Sequence, residues 1–99
     1  MVETNKRMNI SADQEEQIVN FGALEYDAKK ISSILGLDLK LVEAELNNKD
    51  SQMSILLQRG RDMADYVVDL KLFDMAKSGD IKALEKLDYR KRSRKMKKM

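Results

Sequence analysis

The run "RKRSRKMKK" places seven cations and no carboxylate within nine positions: Arg90, Lys91, Arg92, Arg94, Lys95, Lys97 and Lys98. Side chains of this kind do one chemistry well, which is to neutralise phosphates and release their counterions. Only Ser93 and Met96 interrupt the run, and neither offers a ring for base stacking. Phosphate contact without sequence reading is therefore the expected mode. The same run can also solubilise a chain end or bind the acidic flank of a neighbouring subunit. Over residues 1–89 the balance reverses, with 12 Lys and Arg against 17 Asp and Glu, a net of −5. An acidic body joined to a basic tail points to a polyanionic partner.

Other chemistries have little to work with. There is no cysteine, so disulfides and thiolate reactions are out of reach. There is no histidine, which removes the commonest general base and the commonest metal ligand. No catalytic residue, cofactor or metal is expected. Asp62, Asp65 and Asp69 share one helix face by their spacing of three and four, and such a stripe reads as a solvated face rather than a cation site. No apolar run reaches the roughly 18 residues of a spanning helix, and "MVETNKRMNI" lacks the apolar core of a signal peptide. The expectation is a cytoplasmic protein with no membrane partner.

The elements that must carry these residues are helical. Proline is absent, glycine occurs four times, and apolar residues recur at helical rather than alternating spacing. The fold class is all-α. Ser11 and Gln14 make a capping-box pattern for a first helix with Ile18, Phe21 and Gly22 on one face. Asp27 caps a second helix carrying Ile31, Ile34 and Leu35, which Gly36 ends through a left-handed backbone. Asp38 caps a third, and Leu37 can staple to Val42. After "NNKDS", Asp50 or Ser51 opens a long helix to about Lys77. Ser78-Gly79 stops it, and Asp80 starts a last helix with Ile81, Leu84 and Leu87 on one side. The expected organisation is a flexible N-terminus over 1–10, a helix-turn-helix-like unit over 11–48, an oligomerising helical hairpin over 50–89, and a basic tail over 90–99. That tail can prolong the last helix, fray, or order only on binding.

The series Ala28, Ile31, Ser32, Leu35, Gly36, Leu37 and Val42 follows helix-turn-helix logic in its tri-helical version. A recognition helix offers Arg, Lys, Asn or Gln to base edges and phosphates. Here the third helix turns out Asp38, Leu39, Lys40, Glu43, Ala44 and Asn47, with Glu45 beside them. Lys40, Asn47 and the following Lys49 are the candidates for DNA contact, but the carboxylates repel a phosphate backbone. Packing and positioning is the expected first role of this unit, with most DNA affinity in the tail.

The long helix carries apolar side chains on more than one face from Met63 to Ala76. A helix burying one face in a small monomer shows a narrower band. The surplus suggests contact with a second copy, through Met63, Val67, Leu70 and Phe73.

The stretch "IVNFGALEYDAKKISSILGL…VEAEL", then a glycine-interrupted helix and "LFDMAKSGDIKALEKLDYRKR", resembles phage terminase small subunits and related prophage DNA-packaging proteins. The likeness spans about residues 11–92 and includes Ala76-Lys77-Ser78-Gly79-Asp80 followed by Ala83-Leu84. It implies a non-enzymatic homo-oligomer, in those proteins a ring, that engages double-stranded viral DNA and serves the large ATP-hydrolysing terminase subunit in the host cytoplasm. A helix-turn-helix transcription regulator and a structural or assembly protein of a phage are the competing expectations.

Overall fold

The computed structural model describes residues 9–97, and within them the chain is all-α with no strand. Five helices follow in order: α1 (Ala12–Leu24), α2 (Ala28–Leu35), α3 (Leu39–Asn47), α4 (Gln52–Lys77) and α5 (Ile81–Lys97). The expected flexible N-terminus falls mostly on residues 1–8, outside the described residues. Ile10, counted in that segment, is half-buried and packs against the core. No helix among the described residues is long and apolar enough to cross a membrane.

Local signals start and stop the helices where side chains can satisfy the free backbone groups. Ser11 Oγ accepts from Gln14 N at 3.2 Å while Ser11 N donates to Gln14 Oε1 at 3.1 Å, a complete capping box. The Asp27 carboxylate accepts from Lys30 N at 2.9 Å, and that of Asp38 from Lys40 N at 3.2 Å. Asp80 does the same for α5, accepting from Ala83 N at 3.0 Å. Ser51 serves two helices at once. Its hydroxyl accepts from Ser54 N at 3.0 Å to open α4 and donates to Glu45 O at 2.7 Å, satisfying a terminal carbonyl of α3. Ser54 Oγ donates to the same carbonyl at 2.9 Å.

Two turns need a left-handed residue. Gly36 ends α2 at φ 68°, with Leu37 N donating to Ser32 O at 3.0 Å. A Cβ at Gly36 would meet nothing within 4 Å, so only the backbone conformation resists substitution there. Gly36→Val is expected to cost about 1–2 kcal/mol, the left-handed penalty of a side-chain-bearing residue. Thermal melts of the two proteins check this, and an unchanged Tm would contradict it. Glu25 ends α1 at φ 60°, a conformation that no glycine announced in the sequence.

The chain forms two compact units, Met1–Ala64 and Asp65–Met99. In the first, Ile18, Phe21, Ile31, Val42, Met53, Leu56 and Leu57 form the core, with Leu35 and Leu37 packed against it. The boundary falls inside α4, not at the 48–50 break expected from the sequence. The reason is physical: α1 to α3 are too short to close a core, and Met53, Leu56 and Leu57 of α4 complete it. Helices α1 and α4 approach so closely that their glycines touch backbone. A Cβ on Gly22 would lie 2.1 Å from Leu57 O, and one on Gly60 would lie 1.9 Å from Val19 O.

In the second unit, α4 and α5 are joined through Ser78, Gly79 and Asp80. Gly79 at φ 103° makes the turn, with Asp80 N donating to Met75 O at 3.0 Å. Of the alternatives for the basic run, the structure takes the first: α5 continues through it as far as Lys97.

Candidate nucleic-acid interface and assembly face

The cations of α5 divide by where the helix turns them. Ala83, Leu87, Arg90 and Arg94 recur at spacings of four, three and four, which puts them on one face. Ala83 is buried, Leu87 and Arg90 are half-buried, and Arg94 reaches the carboxylate that Arg90 also holds. Arg90 Nε donates to Asp69 Oδ1 at 2.6 Å and its Nη2 to Asp65 Oδ1 at 3.3 Å. Arg94 Nη2 donates to Asp69 Oδ2. Asp69 is thus gripped at both oxygens by two guanidinium groups. Charge-assisted pairs of this kind are the strong ones among surface interactions.

The aspartate stripe therefore needs correction. Asp65 and Asp69 are not part of an unpartnered solvated face but the counter-charges of α5, while Asp62 accepts from Gln58 Nε2 at 3.0 Å. Partial burial pushes the Asp69 carboxyl up, but the hydrogen bonds and charges of Arg90 and Arg94 outweigh it, and the net effect is downward. The hydrogen bond to Asp69 holds the Arg90 guanidinium above its ordinary value, against the opposing effect of burial.

A pH dependence follows. Because Asp69 ionises more readily in the folded chain, the pair contributes stability at any pH above the ordinary carboxylate range. That contribution is lost as pH falls through the lowered folded value, beneath the ordinary carboxylate range. A carboxyl-carbon NMR titration should place the midpoint of Asp69 below the ordinary carboxylate range. In Arg90→Gln the midpoint should rise.

Lys91, Arg92 and Lys95 lie off this face, although Lys91 also borders a groove with Leu70, Phe73 and Arg94. All are exposed, and together with Asp88 they line a shallow hollow on the outer flank of α5. Among the described residues no ion pair holds any of the three. Lys97 ends the helix, and Lys98 lies outside the described residues. In the first unit, Lys40 and Asn47 are exposed on α3, and Lys49 is exposed in the connection to α4. They share that surface with exposed Asp38, Glu43 and Ala44. Leu39 and Glu45, expected to face outward, are half-buried, since α3 packs on α2 and its last turn meets the start of α4.

The residues assigned to self-association are all exposed: Met63 54%, Val67 62%, Leu70 41% and Phe73 48%. Met63 belongs to the first unit and the other three to the second. Tyr66, Val68, Ile81, Leu84 and Tyr89 are exposed beside them in sequence, and Ala83 is the one buried side chain of the second unit among the described residues. Two open grooves run along this unit. One is lined by Val68, Leu72 and Tyr89 together with Lys82 and Lys86; the other is lined by Tyr66, Leu70, Phe73 and Leu87 with Lys91 and Arg94.

Sequence reasoning missed Asp65 and Asp69 as partners of the arginines. The signal was present as two pairs of opposite sign, each spaced by four, on consecutive helices. Comparisons with protein-family models, with curated proteins and with solved structures found no match to this chain.

Proposed function

We propose that the chain is a DNA-packaging adaptor of the terminase small-subunit kind. On this reading it assembles with copies of itself through the α4–α5 hairpin, binds double-stranded DNA, and serves a large ATP-hydrolysing terminase subunit. The observation that carries it is how little the second unit buries among the described residues. Two helices expose Tyr66, Val67, Leu70, Phe73, Ile81 and Leu84 while burying little more than Ala83. Soluble monomers rarely leave contiguous apolar surface of this extent, and assembly interfaces are where it is found. Apolar grooves on both sides of the hairpin suit a head-to-tail contact, the type that closes into rings.

The helix-turn-helix reading rests on α2 and α3 packed across Gly36-Leu37-Asp38, with Ile31, Val42 and Leu37 in one core. Exposed Asp38 and Glu43 on α3 favour a positioning role for that unit over a recognition helix. They weigh against a transcription regulator for the same reason. DNA affinity then comes mainly from the cations of α5 and the residues after it.

A salt titration of fluorescent duplex binding tests the assignment. Binding by the full chain should fall with a log–log slope of about −0.9 per phosphate neutralised. Truncation after Tyr89 should flatten the slope and lower affinity about equally for all sequences. Replacing Lys40 and Asn47 together by Ala should change both far less. The inverse pattern, with the truncated chain binding normally and the double variant silent, would transfer the DNA-contacting role to α3.

A further inference from the structure

Resting on that DNA-binding reading, the geometry points to a division of labour within the basic helix: Lys91, Arg92 and Lys95 form the phosphate-contacting stripe, and Arg90 and Arg94 clamp α5 to α4 without touching DNA.

The sequence presents these five cations as one run, but the fold separates them. Arg90 commits its fork to Asp69 and Asp65, and Arg94 to the second oxygen of Asp69. A guanidinium already bound by carboxylates must give up those charge-assisted bonds to reach a phosphate, which offsets the gain from the counterions that the nucleic acid releases. It would also leave the Asp69 charge half-buried and unpaired.

Among the described residues no ion pair engages Lys91, Arg92 or Lys95. One helical turn separates Lys91 from Lys95, so both heads reach the same side of α5, with Arg92 next to them. All three are exposed and line the hollow that also contains Asp88. That single carboxylate sits one turn before Lys91 and marks where a phosphate backbone is no longer favoured. The clamp also ties down the end of α5. Beyond Leu87 no buried apolar side chain ties α5 down among the described residues, and Tyr89 and Met96 are exposed. Among the described residues, the arginine–aspartate pairs are the side-chain polar contacts that join the end of α5 to α4.

The test uses the full chain, a fluorescent duplex and three sets of substitutions. Lys91→Gln, Arg92→Gln and Lys95→Gln together should make the salt slope shallower by about 2.7, at about 0.9 per cation, and weaken binding at low salt at least about tenfold. The combination Asp65→Asn, Asp69→Asn, Arg90→Gln and Arg94→Gln removes the clamp with no change in net charge. It should alter the slope by less than about 0.9, the value of one contact. Arg94→Gln alone, with Asp69 still held by Arg90, should leave the slope unchanged where loss of a phosphate-contacting cation would make it shallower by about 0.9, which covers the case in which the four-fold variant loses helicity by circular dichroism.

A slope that survives the triple substitution, or one that flattens in the clamp variants as much as in the triple, overturns the division. If the unmodified chain binds no duplex at low salt, the DNA-binding reading itself fails, and the inference with it. Both fail equally if the chain binds anionic vesicles but no duplex.

Discussion

Gly60→Ala should destabilise the first unit by about 3 kcal/mol or more, although the same change in an ordinary helix stabilises by up to about 1 kcal/mol. The sign is reversed by geometry. The added methyl would lie 1.9 Å from Val19 O and 2.8 Å from Ala23 N, and both are backbone atoms of α1. No rotamer change relieves a clash with backbone, so the helices must separate. Separation loosens Ile18 and Phe21 on one side and Leu56 and Leu57 on the other, all in the same core. Gly22→Ala meets Leu57 O at 2.1 Å and should behave alike. The two sites share one crossing, so their costs should fall short of additive when combined. Urea unfolding of the three variants measures this. A Gly60→Ala protein as stable as the parent would mean that α1 and α4 do not cross at these glycines.

Phe73→Asp should break self-association while leaving the helices intact. In the isolated chain Phe73 is 48% exposed, with the Lys77 ammonium 4.8 Å from its ring centre, so folding loses little by its removal. At an interface the consequence differs. The ring would be withdrawn from a hydrophobic contact and an unpaired carboxylate placed there instead, a change costing several kcal/mol. A loss of about 3–4 kcal/mol raises the dissociation constant roughly 100- to 1,000-fold. Sedimentation velocity should show the variant shifted to smaller species at concentrations where the parent is assembled, with unchanged far-ultraviolet circular dichroism. A variant that sediments as the parent does would remove Phe73 from the interface.

The helix boundaries were legible because they depend on short-range chemistry. Ser11 with Gln14, Asp27, Asp38 and Asp80 each satisfy backbone donors within three residues, and Gly36 and Gly79 mark their turns by type. The features that escaped depend on which helices meet. The bond from Arg90 to Asp69 spans 21 residues, and nothing local distinguishes Asp69 from the solvent-facing Asp62. The role of Gly60 as a contact point emerges only when α1 lies across α4. The extent of the first core was hidden for the same reason: "NNKDS" breaks the helix, but the core continues past it into Met53, Leu56 and Leu57. In the candidate site, exposure of Lys40, Asn47, Lys91 and Lys95 followed from their polarity, whereas the engagement of Arg90 and Arg94 did not.

Multi-angle light scattering of the full chain across a concentration series tests self-assembly through the second unit most directly. A mass several times that of one chain, holding its value on dilution and falling to one chain in Phe73→Asp, is the expected result. A monomer at high concentration would contradict it, and a stable dimer would favour a regulator over a ring.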